Sequence, residues 1–284
     1  MRILVDGNHL SSRARYTTVA TLCTSDGRRS GVIHGFLRSI SWLLRETGGP
    51  WSDVTVVFDG GRSRRRMELF PEYKAGRHSD DPTEEEKADL AAYFEQLRVL
   101  QLILPTLGAQ VIRVKGVEAD DVISILAHQD DTPTYVFSGD KDFHQIASPN
   151  ICIFDPKKEK RSIAELLNEW GARDIRDIVK LRAIIGDSSD NIGGVPRIGP
   201  KKSIKALYDP ESKEALKVQE HYKIVDRNLT LMQLPKTYGE SLYSYAETYE
   251  IRRQHESPHK ASTRAFLDHC AQWELNQVLE VVSW

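Results

Sequence analysis

Short apolar runs that stop at an aspartate recur along the chain. Arg2 to Val5 opens into Asp6-Gly7-Asn8, Val54 to Phe58 into Asp59-Gly60-Gly61, and Thr134 to Ser138 into Gly139-Asp140-Lys141-Asp142. Continuous apolar runs of this length, bounded by turn residues, read as buried strands. Val111 to Val114, leading to Gly116, is a shorter example. Between the runs the period lengthens. Ser30 to Arg45 carries Val32, Ile33, Phe36, Leu37, Ile40, Leu43 and Leu44 at helical spacing, and a second helix opens with Val117-Glu118-Ala119-Asp120-Asp121 before Val122, Ile123, Ile125 and Leu126. Strands alternating with amphipathic helices predict an α/β fold around a mainly parallel sheet. After Asp155 the pattern becomes mainly helical: Ile175 to Ile185 is amphipathic, a helix starts at Lys201 to Leu207, and further segments lie around Val218 to Leu234 and Ala261 to Val281. Trp273, Leu275, Val278 and Leu279 read as core.

In parallel sheets ligands bind beyond the carboxyl ends of the strands, where Asp6, Asp59, Asp140 and Asp142 would lie. Each acid has a plain alternative. Asp6 and Asp59 suit a turn before glycine, and Asp120 and Asp121 complement a helix dipole. Together, carboxylates on one edge repel one another and raise their own pKa values unless a cation neutralises them. All-oxygen ligation favours Mg²⁺ or Mn²⁺.

The stretch from Ile184 to Lys202 combines two features. Asp187 and Asp190 stand one helical turn apart, and the glycine hairpin Gly193-Gly194-Val195-Pro196-Arg197-Ile198-Gly199 is followed by Pro200, Lys201 and Lys202. A glycine turn that opens a helix offers backbone N–H groups to phosphate. Gly61 to Arg66 is densely basic, Pro71 to Arg77 mixes Tyr73 with Lys74 and Arg77, and Ser79 to Lys87 is acidic. A polar insertion of this kind predicts an exposed loop or arch, with the basic run also readable as a solvated face. Tyr73 beside Lys74 and Arg77 suits base stacking with phosphate contact. Tyr238, Tyr243, Tyr245 and Tyr249 suit a half-buried surface or single-strand stacking.

Composition changes this picture little. With 284 residues, 40% hydrophobic and 28% charged, the chain is an ordinary globular one, large enough for a sizeable core. Its net charge of −2 does not advertise nucleic-acid binding, but metal-binding carboxylates would cancel phosphate-binding cations in the sum. Cys23, Cys152 and Cys270 lack ligand spacing, and no signal peptide or membrane-spanning run is visible, so a cytoplasmic setting without membrane contact is expected.

The ordered set Ile3-Leu4-Val5-Asp6-Gly7-Asn8, Phe58-Asp59-Gly60, Glu72-Tyr73-Lys74 with Arg77, Gly116 to Asp121, Ser138-Gly139-Asp140-Lys141-Asp142-Phe143 and Gly186 to Ile192 resembles the 5′ nucleases of the flap endonuclease family. Both the stand-alone phage enzymes and the nuclease domain of bacterial repair polymerases are similar. The likeness runs from Met1 to about Leu234. It implies a PIN-like sheet with helices on both faces in residues 1–174, a helical arch at about 61–95, and a helix-hairpin-helix with further helices in 175–284. It also implies two divalent ions, Mg²⁺ or Mn²⁺, one held by Asp6, Asp59, Glu118, Asp120 and Asp121, the other by Asp140, Asp142, Asp187 and Asp190. Lys74 and Arg77 would act on the phosphate from the arch, with Arg66 at its base. Tyr73, Gly194, Val195, Arg197, Ile198, Gly199, Lys201 and Lys202 would meet DNA, with K⁺ at the hairpin. Arg197 departs from the family, which commonly has glycine there.

The implied activity is hydrolysis of DNA or RNA–DNA phosphodiesters at 5′ ends, flaps and nicks, in primer removal or repair, by a monomer working beside replication proteins. No polymerase-like region follows Trp284, so a free-standing nuclease is expected. Two other readings compete: a haloacid-dehalogenase-like phosphatase, in which Asn8 would replace the second aspartate, and a structure-specific DNA-binding protein with a decayed site.

Overall fold

The computed structural model describes residues 1–17, 21–76, 82–157, 159–240, 243–257, 260–280 and 282. Its central sheet contains β1 (Arg2–Asp6), β2 (Val54–Val57), β3 (Gln110–Ile112), β4 (Thr134–Phe137), β5 (Ile151–Asp155) and β6 (Glu159–Arg161), in the order β3-β2-β1-β4-β5-β6. Neighbouring strands from β3 to β5 are parallel, and β6 pairs antiparallel with β5. Asp6 lies opposite Val57 and Val5 opposite Phe137, so Asp6, Asp59 and the turn after Ser138 leave the sheet at the same edge. β5 and β6 were not foreseen. The chain doubles back beyond Asp155 before it turns helical.

The inner parallel strands β1, β2 and β4 are largely apolar because both faces are covered. Ile3 and Val5 point into one core with Phe36, Leu100 and Phe137, whereas Leu4 points into another with Val57, Ile123 and Val136, as alternation along a strand requires. The first core is closed by α1 (Gly7–Arg15), α2 (Gly31–Thr47) and, after the short α3 (Arg64–Leu69), by α4 (Glu84–Thr106). The second is closed by α5 (Ala119–Ala127) and α6 (Ile163–Trp170). Beyond them, α7 (Ile175–Ile185), α8 (Pro200–Tyr208), α9 (Lys213–Glu220) and α10 (Tyr222–Met232) surround a small cluster of Ile184, Val195 and Ile198 with Val218 and Val225.

Two expectations change here. Phe266 and Cys270 of α12 (Thr263–Gln272) and Val278 of α13 (Asn276–Leu279) lie in the first core, while Ile251 of α11 (Tyr245–Glu256) lies in the second. The end of 175–284 therefore completes the α/β body. The stretch assigned to an arch at 61–95 also divides: α3 and Tyr73 pack inward, and α4 opens with a Thr83–Glu86 capping box and then buries Leu97, Leu100, Ile103 and Leu104. Arg77, expected in the arch, lies outside the described residues. Among the described residues no helix is long and apolar enough to cross a membrane.

Candidate metal centre and nucleic-acid face

The end of β1 turns directly into α1, with the Asp6 carboxylate capping it by accepting the His9 amide at 2.9 Å. Its other oxygen accepts from the Ser138 hydroxyl at 3.1 Å. Asp6, His9 and Asp140 each present a ligand atom within 4.8 Å of the others. Burial, then the charges of Asp59 and Asp140, push the Asp6 carboxyl up to about 7. Asp59 reaches toward α5, accepting the Ala119 amide at 2.8 Å. That approach depends on Gly60, where an added Cβ would lie 1.6 Å from the Val114 carbonyl oxygen.

A second group, Glu118, Asp120 and Asp121, also has ligand atoms within 4.8 Å of one another, but most are engaged by the protein. The Arg66 guanidinium lies 2.7 and 2.8 Å from the two Asp121 oxygens and also bonds Glu118. The Tyr243 hydroxyl donates to Asp121 at 2.6 Å and accepts the Glu118 amide at 2.9 Å. Glu118 further accepts from the Tyr73 hydroxyl at 3.0 Å and from Lys74 Nζ at 2.7 Å. Burial alone would raise Glu118, but Arg66 and Lys74 hold it below the ordinary carboxylate range. Asp120 moves the other way, raised by burial and by Asp121.

These contacts correct several assignments. Tyr73 is 2% exposed, with Ile192, Leu231 and Met232 around it, so it cannot offer its ring to a base. Arg66, also 2% exposed, is a counter-ion to Glu118 and Asp121 rather than a phosphate contact. Asp121 is in turn taken up by Arg66 and Tyr243. Lys74 keeps its ammonium at the acidic edge, 12% exposed, on a backbone with φ of 56°.

Asp142, Asp187 and Asp190 do not converge as one set. Asp142 and Asp187 share Arg182, whose Nη2 lies 2.5 and 2.9 Å from them. Burial, then Asp140, push Asp142 up to about 7 despite Arg182. Asp190 instead lies beside Tyr73 and Lys74, where its charge helps to raise the Lys74 pKa against burial. Its carbonyl accepts the Lys74 amide at 2.9 Å, and the Asn191 side chain donates to the Glu72 carbonyl at 2.9 Å. The stretch leading into the hairpin is thereby bonded to the segment that carries Lys74.

Within the hairpin, Gly194 is required because a Cβ would sit 2.0 Å from the Ile185 carbonyl oxygen. Val195 and Ile198 are buried packing residues, and their amides donate to the Ile184 and Val195 carbonyls, so neither amide is left for phosphate. Arg197, Gly199, Lys201 and Lys202 are exposed. Arg197 adopts φ of 63°, the conformation that favours glycine, and Lys202 Nζ donates to its carbonyl at 3.2 Å. No side chain caps α8 at Gly199.

His9 and Arg182 were not anticipated, and Tyr243, expected on a half-buried or stacking surface, is instead buried with its hydroxyl on Asp121. His9 stands three residues after Asp6 in the first turn of α1, a spacing that could have marked it. Arg182 has the weaker cue of sharing α7 with the approach to Asp187. Tyr243 has no local cue.

The donor set suits a hard divalent cation: oxygens dominate, and the mutual repulsion of Asp6, Asp59 and Asp140 is what such a cation relieves. Asn8, at the place of a phosphatase's second aspartate, accepts the Asp59 amide at 2.8 Å.

The family model described as "5'-3' exonuclease, N-terminal resolvase-like domain" matches residues 1–171. A 5'-3' exonuclease of Buchnera aphidicola is 31% identical over 205 residues, covering 71% of this chain and 68% of that protein. A thermostable DNA polymerase I of Thermus thermophilus is 33% identical over 217 residues, 75% of this chain but 24% of the polymerase, so the chain spans about a quarter of such relatives. Among solved structures, T5 5'-exonuclease with divalent metal ions (zinc) bound superposes with a TM-score of 0.68 at 22% identity, covering 99% of this chain and 98% of that one, and shares the fold. From the match to residues 1–171 and the exonuclease relative aligned over 68% of its length, this chain belongs to the 5′-3′ exonuclease family.

Proposed function

We propose that the protein is a divalent-metal-dependent 5′ nuclease that hydrolyses phosphodiesters at 5′ ends, nicks and flaps of DNA, and in RNA–DNA duplex, acting as a monomer in primer removal or repair. The observation that carries this reading is the sheet edge itself. Asp6, Asp59 and Asp140 crowd there closely enough that the charges of the other two raise the Asp6 carboxyl, and Glu118, next to the Ala119 amide that Asp59 accepts, holds the ammonium of Lys74.

Asp6, Asp59, Asp120 and Asp140 would hold one Mg²⁺ or Mn²⁺ ion, with Asp142 and Asp187 available to a second. When bound, such ions supply Lewis-acid charge for in-line attack on a phosphodiester. Lys74 leaves Glu118 and donates to a non-bridging phosphate oxygen, stabilising the charge that builds there. Arg66 stays behind on Glu118 and Asp121, holding both in place while Lys74 moves. His9, whose pKa burial lowers, stays neutral beside Asp140 and adds no positive charge to the site. The exposed Lys201 and Lys202 and the uncapped start of α8 grip phosphates of the duplex, with K⁺ as a further ligand of the hairpin.

The test is cleavage of a 5′-flap, a nicked duplex, an RNA-primed duplex and a single strand with Mg²⁺ or Mn²⁺, by the wild type and by Asp142→Asn. Cleavage of the branched or nicked substrates by the wild type, largely lost in the variant, is expected. Undiminished cleavage by Asp142→Asn would overturn the metal assignment.

A further inference from the structure

Where α1 and α2 cover the first core, these helices and Pro156 after β5 enclose a cleft of about 360 Å³. Its walls carry Arg13 from α1 and Arg38, Trp42 and Arg45 from α2. Positions 38, 42 and 45 fall on one stripe of α2, opposite the stripe that enters the core. Among the described residues no carboxylate lines the cleft, and neither the Arg13 nor the Arg38 side chain forms an ion pair or hydrogen bond. Trp42 is firmly founded: Phe154 meets it edge-on at 5.5 Å, and Phe137 lies at 6.5 Å. The rest of the half-buried indole faces the cleft.

The cleft begins one helical turn from the acidic edge. Arg13 follows His9 by four residues on α1, so the two share a face, and His9 belongs to the group with Asp6 and Asp140. At that edge a larger cleft of about 570 Å³ runs from His9 and Asp140 past Arg182 and Asp187 to Pro200, where the hairpin ends. A strand gripped at the hairpin and laid across the carboxylates meets Arg13 next.

We infer that the α1–α2 cleft binds a nucleotide of the substrate strand where it runs on past the cleaved bond. Arg13 and Arg38 take the phosphate by paired hydrogen bonds, and the base lies against Trp42. The chemistry selects this ligand: guanidinium forks match phosphate, a flat indole matches a base, and the volume lies in the range of small-ligand sites, roughly 300–1,000 Å³. The inference rests on the nuclease reading. A free mononucleotide product presents the same groups and is the alternative source.

Binding is read by fluorescence anisotropy in EDTA, so that no cleavage occurs, over a series of salt concentrations. The probes are a duplex with a 5′ single-stranded tail, the same duplex without a tail, and dTMP. Arg38→Glu, at an exposed position, should weaken the tailed duplex about tenfold and lower its salt slope by about one, while the tailless duplex changes little. The tail should quench tryptophan fluorescence in the wild type and in Trp170→Phe but not in Trp42→Phe. Equal loss on both duplexes, or none on either, overturns the inference, as does quenching by dTMP with no effect of the tail. Mg²⁺-dependent flap cleavage by the wild type is measured in parallel. If cleavage is absent, the nuclease reading fails; if it is present and the variants bind the tail like the wild type, only this inference fails.

Discussion

Glu118 and Asp121 on one side of the acidic edge are met by Arg66, Tyr73, Lys74 and Tyr243. Asp6 and Asp140, at the ends of β1 and β4, receive only backbone amides and a serine hydroxyl among the described residues. Asp6 is buried like Glu118 and Asp121, whereas Asp140 is exposed, and the protein supplies its own counter-charge to Glu118 and Asp121 and withholds it from Asp6. Where the charge is supplied, the carboxylates serve to hold Arg66 and Lys74. Where it is withheld, the repulsion is left for a divalent ion to relieve, at the cost of a less stable metal-free fold.

The sharpest way to break this contrast is Asp6→Asn, which should lower Mg²⁺-dependent cleavage to ~10⁻³ of wild type or less. The same change should raise the melting temperature of the metal-free protein, since it removes repulsion and keeps a good helix cap. A lower melting temperature would show that the charge was not a burden. On the other side, Arg66→Ala leaves two buried carboxylates without their partner and should cost about 3–5 kcal/mol of stability in urea denaturation, whether or not metal is present. A loss under about 1 kcal/mol would mean that the clamp is replaceable.

Lys74→Ala should slow single-turnover cleavage by ~10² while leaving duplex affinity nearly intact. An unchanged single-turnover rate would remove Lys74 from the chemistry. A pH series separates the two sides further. Asp6 and Asp142, raised from 3.8 to about 7, hold protons in the folded state that the unfolded chain releases. Their contribution favours folding most in acid, falls as the pH rises from about 4 to 7, and levels off above that. Glu118 and Asp187 are shifted downward, so their stabilisation is present at neutral pH and lost only as the pH drops below the ordinary carboxylate range. The metal-free protein should therefore melt several degrees lower at pH 8 than at pH 5.5, and saturating Mg²⁺ or Mn²⁺ should largely abolish that difference. The smallest effect is expected at the hairpin, where Arg197→Gly relieves about 1 kcal/mol of left-handed strain and lowers the salt slope of duplex binding by about one. An unaltered slope would count against a phosphate contact there.

The parallel strands were legible because burial on both faces leaves uninterrupted runs such as Ile3–Leu4–Val5 and Val54 to Phe58. The bounds of α7 could be read at both ends, since Asp174 caps it and Gly186 leaves it with φ of 84°. β6 is Glu-Lys-Arg, which carries no apolar signal, and its pairing with β5 comes only from tertiary context. α4 was hidden by its polar beginning, because it enters the core only from about Leu90 and Tyr93. The acids at the edge were visible through their places after strands, but their division of labour was not. Arg66 and its neighbours Arg64 and Arg65 look alike in sequence, and only position in the fold buries one of them against Asp121. Tyr243 reaches Asp121 across 122 residues, a separation at which local pattern is silent.

The hydrogen bonds from Lys74 to Asp190 and from Asn191 to Glu72 have a mechanical meaning. They splice the lysine's perch to the stretch that leads into the glycine hairpin, so the two are joined as one lever. If the hairpin grips duplex as proposed, a helix seated askew would carry the ammonium out of line with the bond to be cut, and correct seating would become a condition of cutting.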